Sequence, residues 1–85
     1  MKHIILGVHI TNRLEDAIEV QQVFTEFGAH IRTRLGLHEI ETREPSPKGL
    51  ILLELVGDEP GCQALASRLA AIKGIEVRQM VFSHE

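Results

Sequence analysis

The chain has 85 residues, 44% of them apolar and 25% charged, with a formal net charge of −3. That length holds one domain, residues 1–85, and no second core; the composition is globular rather than disordered. The acidic balance excludes a global positive field for nucleic acid, and the single cysteine excludes an intrachain disulfide framework. The start, Met1-Lys2-His3-Ile4-Ile5-Leu6-Gly7, is too short and too quickly polar for a signal peptide. No apolar run nears the ~18 residues of a membrane helix. A cytoplasmic domain with no membrane partner is expected.

His3 to Ile10 is rich in Val and Ile and reads as a first strand. Asn12 follows, with Glu15 three residues on, which is the pattern of a capping box. Leu14, Ala17, Ile18, Gln21 and Phe24 then share one helical stripe, widened by Val20, Val23 and Phe27, and Gly28 ends the helix. Ala29 to Ile40 reads as a second strand. Glu44-Pro45-Ser46-Pro47-Lys48 reads as a surface loop. Leu50 to Val56 is a third strand. Asp58 caps a second helix, with Pro60 in the first turn, where its missing amide costs nothing. Cys62, Leu65, Ala66, Leu69 and Ile72 recur at helical spacing before Gly74, and Ile75 to Phe82 is the last strand.

The spacing organises these elements. Asn12 to Gly28 and Asp58 to Gly74 are both sixteen residues, so the halves are offset by 46. Two β-α-β units with right-handed crossovers, their strands interleaved, give a βαββαβ chain. The expected fold class is α+β: a ferredoxin-like sandwich with an antiparallel sheet in the order 4-1-3-2 and both helices on one face. Strand alternation then assigns faces. Ile4, Leu6 and Val8 point inward on the first strand, Ile31, Leu35 and Leu37 on the second, Ile51, Leu53 and Leu55 on the third, and Ile75, Val77 and Val81 on the fourth. Arg32, Arg34, His38, Glu54, Glu76 and Arg78 are sent outward. One conflict stands: the offset of 46 puts inward Val8 and outward Glu54 on the same face.

The outward set also contains Ile5, Leu50, Leu52, Val56, Met80 and Phe82. A solvated sheet face is mostly polar. An apolar centre rimmed by charge fits contact with another subunit, so a homo-oligomer, dimer or tetramer, is expected through this face.

The segments HIILGVHITNRLEDAIEVQQVFTEFG, RTRLGLHE and GLILLELVGDEPGCQALASRLAAIKGIEVRQMVF resemble a family of small stand-alone ACT-like proteins. Its members are candidate regulators of iron-only hydrogenase systems. The family is itself similar to the C-terminal domain of nickel-responsive ribbon-helix-helix regulators. The resemblance covers nearly the whole chain. It implies the ferredoxin-like fold, association through the sheets and a regulatory role. It also implies a small-molecule effector held at the first strand-to-helix turn, Thr11, Asn12 and Arg13, although the Asp-x-Pro-Gly signature of ACT turns is absent there. In the nickel-responsive relatives a His on the second strand, a His pair on the third and a Cys opening the second helix bind metal. Matched to them, His38, Glu54 and Cys62 become candidate ligands for a divalent metal, and Val56 takes a position that cannot ligate. The chain starts directly on its first strand, so any effect on transcription would pass through a DNA-binding partner protein.

The remaining candidates follow from residue chemistry. His3 and His9 lie six apart on one strand face, roughly 20 Å between Cα atoms, too far to share a metal. Cys62 is either a thiolate favoured by the helix dipole or a small buried hydrophobe. Arg32, Arg34 and Arg78 on the open face either recognise an anion or pair with Glu54 and Glu76. No phosphate loop, Rossmann glycine run, zinc spacing or carboxylate pair is recognisable. No other cofactor is expected, and no enzyme activity. The reading is an oligomeric ligand-sensing module; the alternatives are a metal-binding protein with interface His and Cys ligands, or a small enzyme of ferredoxin-like fold.

Overall fold

A computed structural model of the chain describes residues 2–11, 13–37 and 49–83. Strand β1 covers Lys2–Ile10, helix α1 Arg13–Glu26, a 3-10 turn Gly28–His30 and strand β2 Ile31–Leu37. Strand β3 covers Gly49–Leu55, helix α2 Glu59–Ala70 and strand β4 Ile75–Ser83. The strands form one antiparallel sheet in the order β2-β3-β1-β4, which is the expected 4-1-3-2 read from the other edge.

Alternation along the central strands builds the core. Ile4, Leu6, Val8 and Ile10 of β1 and Leu53 and Leu55 of β3 are buried against Val20, Val23 and Phe24 of α1. Cys62, Leu65 and Leu69 of α2 join the same cluster, so both helices cover one face. Of the expected α1 stripe, one edge packs against the sheet and Ile18 and Gln21 are exposed. Val20, Val23, Phe24 and the half-buried Phe27 follow the i, i+3, i+4, i+7 pattern. Ile18 lies two residues from Val20, about 200° around the helix at 3.6 residues per turn, and is 75% exposed. The Asn12–Glu15 capping box lies outside the described residues and side chains. Gly28 does not cap α1; it opens the 3-10 turn that delays β2 to Ile31.

The conflict between Val8 and Glu54 is resolved at one residue. Ile10 and Leu55 both face the core and are 45 apart, whereas the helices begin at Arg13 and Glu59, 46 apart. The second half thus carries one extra residue between strand and helix. Gly57 sits there with φ +93, a left-handed conformation that glycine adopts without a side-chain penalty.

A second irregularity overturns part of the expected facing. The β2–β3 register shifts between Ile31 and Thr33, so Arg32 is an extra residue in β2. Beyond it every side chain swaps face. Thr33 pairs with Glu54, Leu35 with Leu52 and Leu37 with Leu50, which puts both leucines on the open face. Arg34, opposite Leu53, turns to the helix side. There its Nη1 donates to Gln21 Oε1 at 3.0 Å and its guanidinium lies 4.9 Å from the Phe24 ring centroid. Val81 keeps the expected side, opposite Ile4, but stays exposed on the edge strand.

These placements predict unequal costs. Leu53→Ala empties a fully buried site and is expected to lower unfolding free energy by about 2–5 kcal/mol. Leu37→Ala removes a side chain on a residue already 43% exposed, and is expected to cost less than about 1 kcal/mol. Urea unfolding at low protein concentration checks both.

Candidate functional site

A cleft of about 730 Å³ opens at the end of the sheet where β1 starts and β3 ends. Lys2 and His3 of β1, Arg32 of the β2 bulge and Glu54 of β3 form its polar rim, and the first turn of α2 closes it with Glu59 and Cys62. Lys2 Nζ pairs with Glu59 Oε1 at 2.7 Å. His3 Nε2 donates to Glu54 Oε2 at 2.9 Å, and Thr33 Oγ1 donates to Glu54 Oε1 at 2.8 Å. Thr33 reaches Glu54 because the bulge turns it to the open face. The hydrogen bonds from Thr33 and His3, with the charge of Arg32, hold the Glu54 carboxyl below its ordinary range against the opposing effect of desolvation. Arg32 is exposed and has no hydrogen-bond partner among the described residues.

Cys62 reaches the cleft from the core side. It is buried, and its thiol donates to the Val56 carbonyl at 3.4 Å. Burial, reinforced by Asp58 and Glu59, pushes its pKa up. The helix dipole therefore does not make it a thiolate; the thiol stays protonated and packs as a small hydrophobe.

Beside the cleft, α2 is tied to the 3-10 turn before β2 by a residue that the sequence does not single out. His30 Nε2 lies 3.0 Å from Asp58 Oδ1, while Asp58 Oδ2 accepts from the Gly61 amide at 2.9 Å. Asp58 thus caps α2 and holds the imidazole at once. His30 also accepts from the Val56 amide through its carbonyl, at 2.9 Å. The ring fits only because its neighbours are glycines: a β-carbon at Gly61 would overlap Nε2, and one at Gly57 would crowd the ring at 3.0 Å. The two glycines flanking the cap, Gly57 and Gly61, were the only legible sign of this nest. The His30 contact first, then the Gly61 amide, lowers the Asp58 pKa.

The other expected site residues do not converge here. Thr11 lies just past the far end of β1, about 30 Å along the chain from Lys2, where its amide donates to the Gly74 carbonyl. Asn12 and His38 lie outside the described residues, and Arg13 opens α1. Arg32 and Arg78 occupy opposite edges of the sheet, on β2 and β4, and Arg34 is on the other face, so the three arginines are not neighbours. Arg78 pairs with Glu76 on its own strand. Of the proposed metal ligands, Glu54 and Cys62 border one cleft, from opposite faces of the sheet. Among the described residues, no group of three or more His, Cys, Asp or Glu side chains is placed to hold a metal ion, and no helix is long and apolar enough to cross a membrane.

No protein-family model matches the chain, and no curated protein matches it. Solved structures do. An uncharacterized protein of Thermotoga maritima superposes with a TM-score of 0.81 at 24% identity, over 98% of this chain and 100% of that one. A proposed PII-like signalling protein of Thermus thermophilus gives 0.65 at 8% identity, over 96% and 88%. A formyltetrahydrofolate deformylase of Pseudomonas putida gives 0.56 at 20% identity, over 92% of this chain but 28% of the enzyme. At these identities the likeness establishes the fold: a small ferredoxin-like, ACT-like sandwich.

Two outcomes are expected. First, Asp58→Ala lowers the melting temperature by several degrees near neutral pH, as the loss of a helix N-cap does. Because folding depresses the Asp58 pKa, its contribution is present above the ordinary value of 3.8 and is lost as pH falls through the lower folded value. The gap between wild type and variant in thermal unfolding should therefore close in acid. In the same series, Gly61→Ala should stabilise by about 0.5–1 kcal/mol in a His30→Ala background, and less with His30 present, since the ring must then leave Asp58. Second, native Cys62 should resist alkylation near neutral pH and react fully once denatured, read by mass spectrometry.

Proposed function

We propose that the chain is a self-associating regulatory module that binds a small anionic effector in the cleft at the start of β1. The observation that carries this reading is the state of the charges around that cleft. Lys2 and Glu59 neutralise each other, and Glu54 is engaged by Thr33 and His3. Arg32 is left with its guanidinium donors unused among the described residues, at the mouth of a concave space large enough for a metabolite. The fold likeness supports the reading at a coarse level. The same sandwich spans a whole Thermotoga chain, a minor part of a much longer enzyme, and a protein proposed for PII-like signalling.

In this reading the chain binds and signals and carries out no turnover. The finer proposal is a regulator of the iron-only hydrogenase system type, acting on transcription through a DNA-binding partner. A second reading, a divalent metal at the same cleft, rests on Glu54 and Cys62 both bordering it. The protonated thiol and the engaged carboxylate weigh against that reading.

Calorimetry of untagged protein against carboxylates, amino acids, nucleotides, Ni²⁺ and Zn²⁺ separates these readings. The anion reading expects saturable binding of one anion class, weakened about tenfold or more by Arg32→Ala, the loss of a charge-assisted contact. Heat from the metals alone, with elemental analysis showing bound metal, would install the second reading instead. Binding of no anion class would end the first.

A further inference from the structure

The open face of the sheet carries a two-dimensional pattern that matches its own copy in one orientation. Reading across β2, β3, β1 and β4, one row is Leu37, Leu50, His9 and Glu76, and the next is Leu35, Leu52, Gly7 and Arg78. Below them run Thr33, Glu54, Ile5 and Met80, and then His3 beside Phe82. The four leucines occupy one corner, and Ile5, Met80 and Phe82 the diagonally opposite one. The remaining two corners are polar: Glu76 and Arg78 with His9 in one, Glu54, Thr33 and the bulge residue Arg32 in the other. Leu35, Leu37, Met80 and Phe82 are exposed in the single chain, at about half of their surface.

Two faces stacked with their strands aligned would lay an apolar corner on a polar one. Stacked about a diagonal two-fold axis, apolar corners meet apolar corners and polar corners meet polar ones. There are two such diagonals. The axis running from the leucine corner to the Ile5 corner brings the two oppositely placed polar corners together: Arg78 falls over Glu54 of the partner subunit. The other diagonal places Glu54 against Glu54 of the partner subunit, a like-charge contact. A diagonal axis turns the strands of the two sheets to near right angles, one of the two ways in which sheets stack.

Gly7 is an independent sign. It lies in the middle of a central strand, near the middle of this face, without a positive φ. A β-carbon there would meet Leu52 Cδ2 at 3.8 Å and the Arg78 carbonyl at 3.9 Å, ordinary contact distances. The single chain therefore has room for a side chain at this position. Glycine inside a strand weakens it and marks close approach by another group.

We propose that two copies of the chain pack face to face through this sheet, strands crossed near 90°, about the diagonal axis that sets Arg78 against Glu54 of the partner subunit and leaves the Gly7 dent to be filled by the partner. This rests on the self-association reading above and adds its geometry.

Charge reversal tests it, because within one chain Arg78 and Glu54 stand two strands apart and each has its own partners. In sedimentation velocity the wild-type chain is a dimer or a dimer-based tetramer. Arg78→Glu and Glu54→Arg should each weaken the dimer more than about tenfold, and the double variant should recover most of that loss. Gly7→Val, a strand-compatible change, should weaken it as well. Circular dichroism establishes that each variant is folded. A wild-type chain that stays monomeric at high concentration overturns self-association itself. A wild-type dimer in which the double variant gives no rescue, or in which Gly7→Val changes nothing, overturns the crossed arrangement and leaves self-association standing.

Discussion

Two helices lie on one face of a four-stranded sheet, so alternate side chains of every strand meet either a core or nothing within the chain. That division governs the rest of the molecule. Leu6, Val8 and Leu53 disappear into the core because the helices lie over their side. Ile5, Leu52 and Glu54, one position away on the same strands, face outward. With this little covering layer, a shift of one residue in any strand moves a set of side chains between core and surface. Register is therefore the variable on which both stability and surface chemistry depend.

The chain uses that sensitivity twice. The extra residue at Arg32 moves Leu35 and Leu37 out of the core and into the apolar corner of the open face. It also carries Arg34 over to Gln21 and Phe24, where its stem and planar head cover the helix side of an edge strand. The same step brings Thr33 onto Glu54 and leaves Arg32 at the cleft. One bulge thus shapes both surfaces to which a function is assigned. The extra residue at Gly57 acts in the complementary sense. It lets β3 and α2 keep their own phases, so that Leu55 and Cys62 both reach the core.

The cleft and the nest around His30 share the first turn of α2. Asp58 holds the helix start and the imidazole together, and Glu59 and Cys62 on the same turn face the cleft. The wall of the site is thereby fixed to the end of β3 and to the turn before β2 rather than left on a loop, which favours a preorganised rim.

Much of this was legible in the residues. The alternation in β1, β3 and β4 and the Asp58–Pro60 helix start follow from local rules: capping and the two periods of apolar side chains. The expected ligand sets came together only in part, with Glu54 and Cys62 at one cleft and the three arginines apart. Convergence depends on which face each strand presents, and that is settled by contacts between strands. A bulge leaves no mark in a run such as Ile31-Arg32-Thr33-Arg34-Leu35; only pairing with β3 decides which residue is extra. His30 is likewise mute until α2 lies against it. The elements and their order along the chain rest on interactions a few residues apart, so the chain of residues alone was enough to specify them. The facing of β2, the protonation of Cys62 and the membership of the cleft rest on burial and register between segments distant in the chain, so only the folded arrangement settles them.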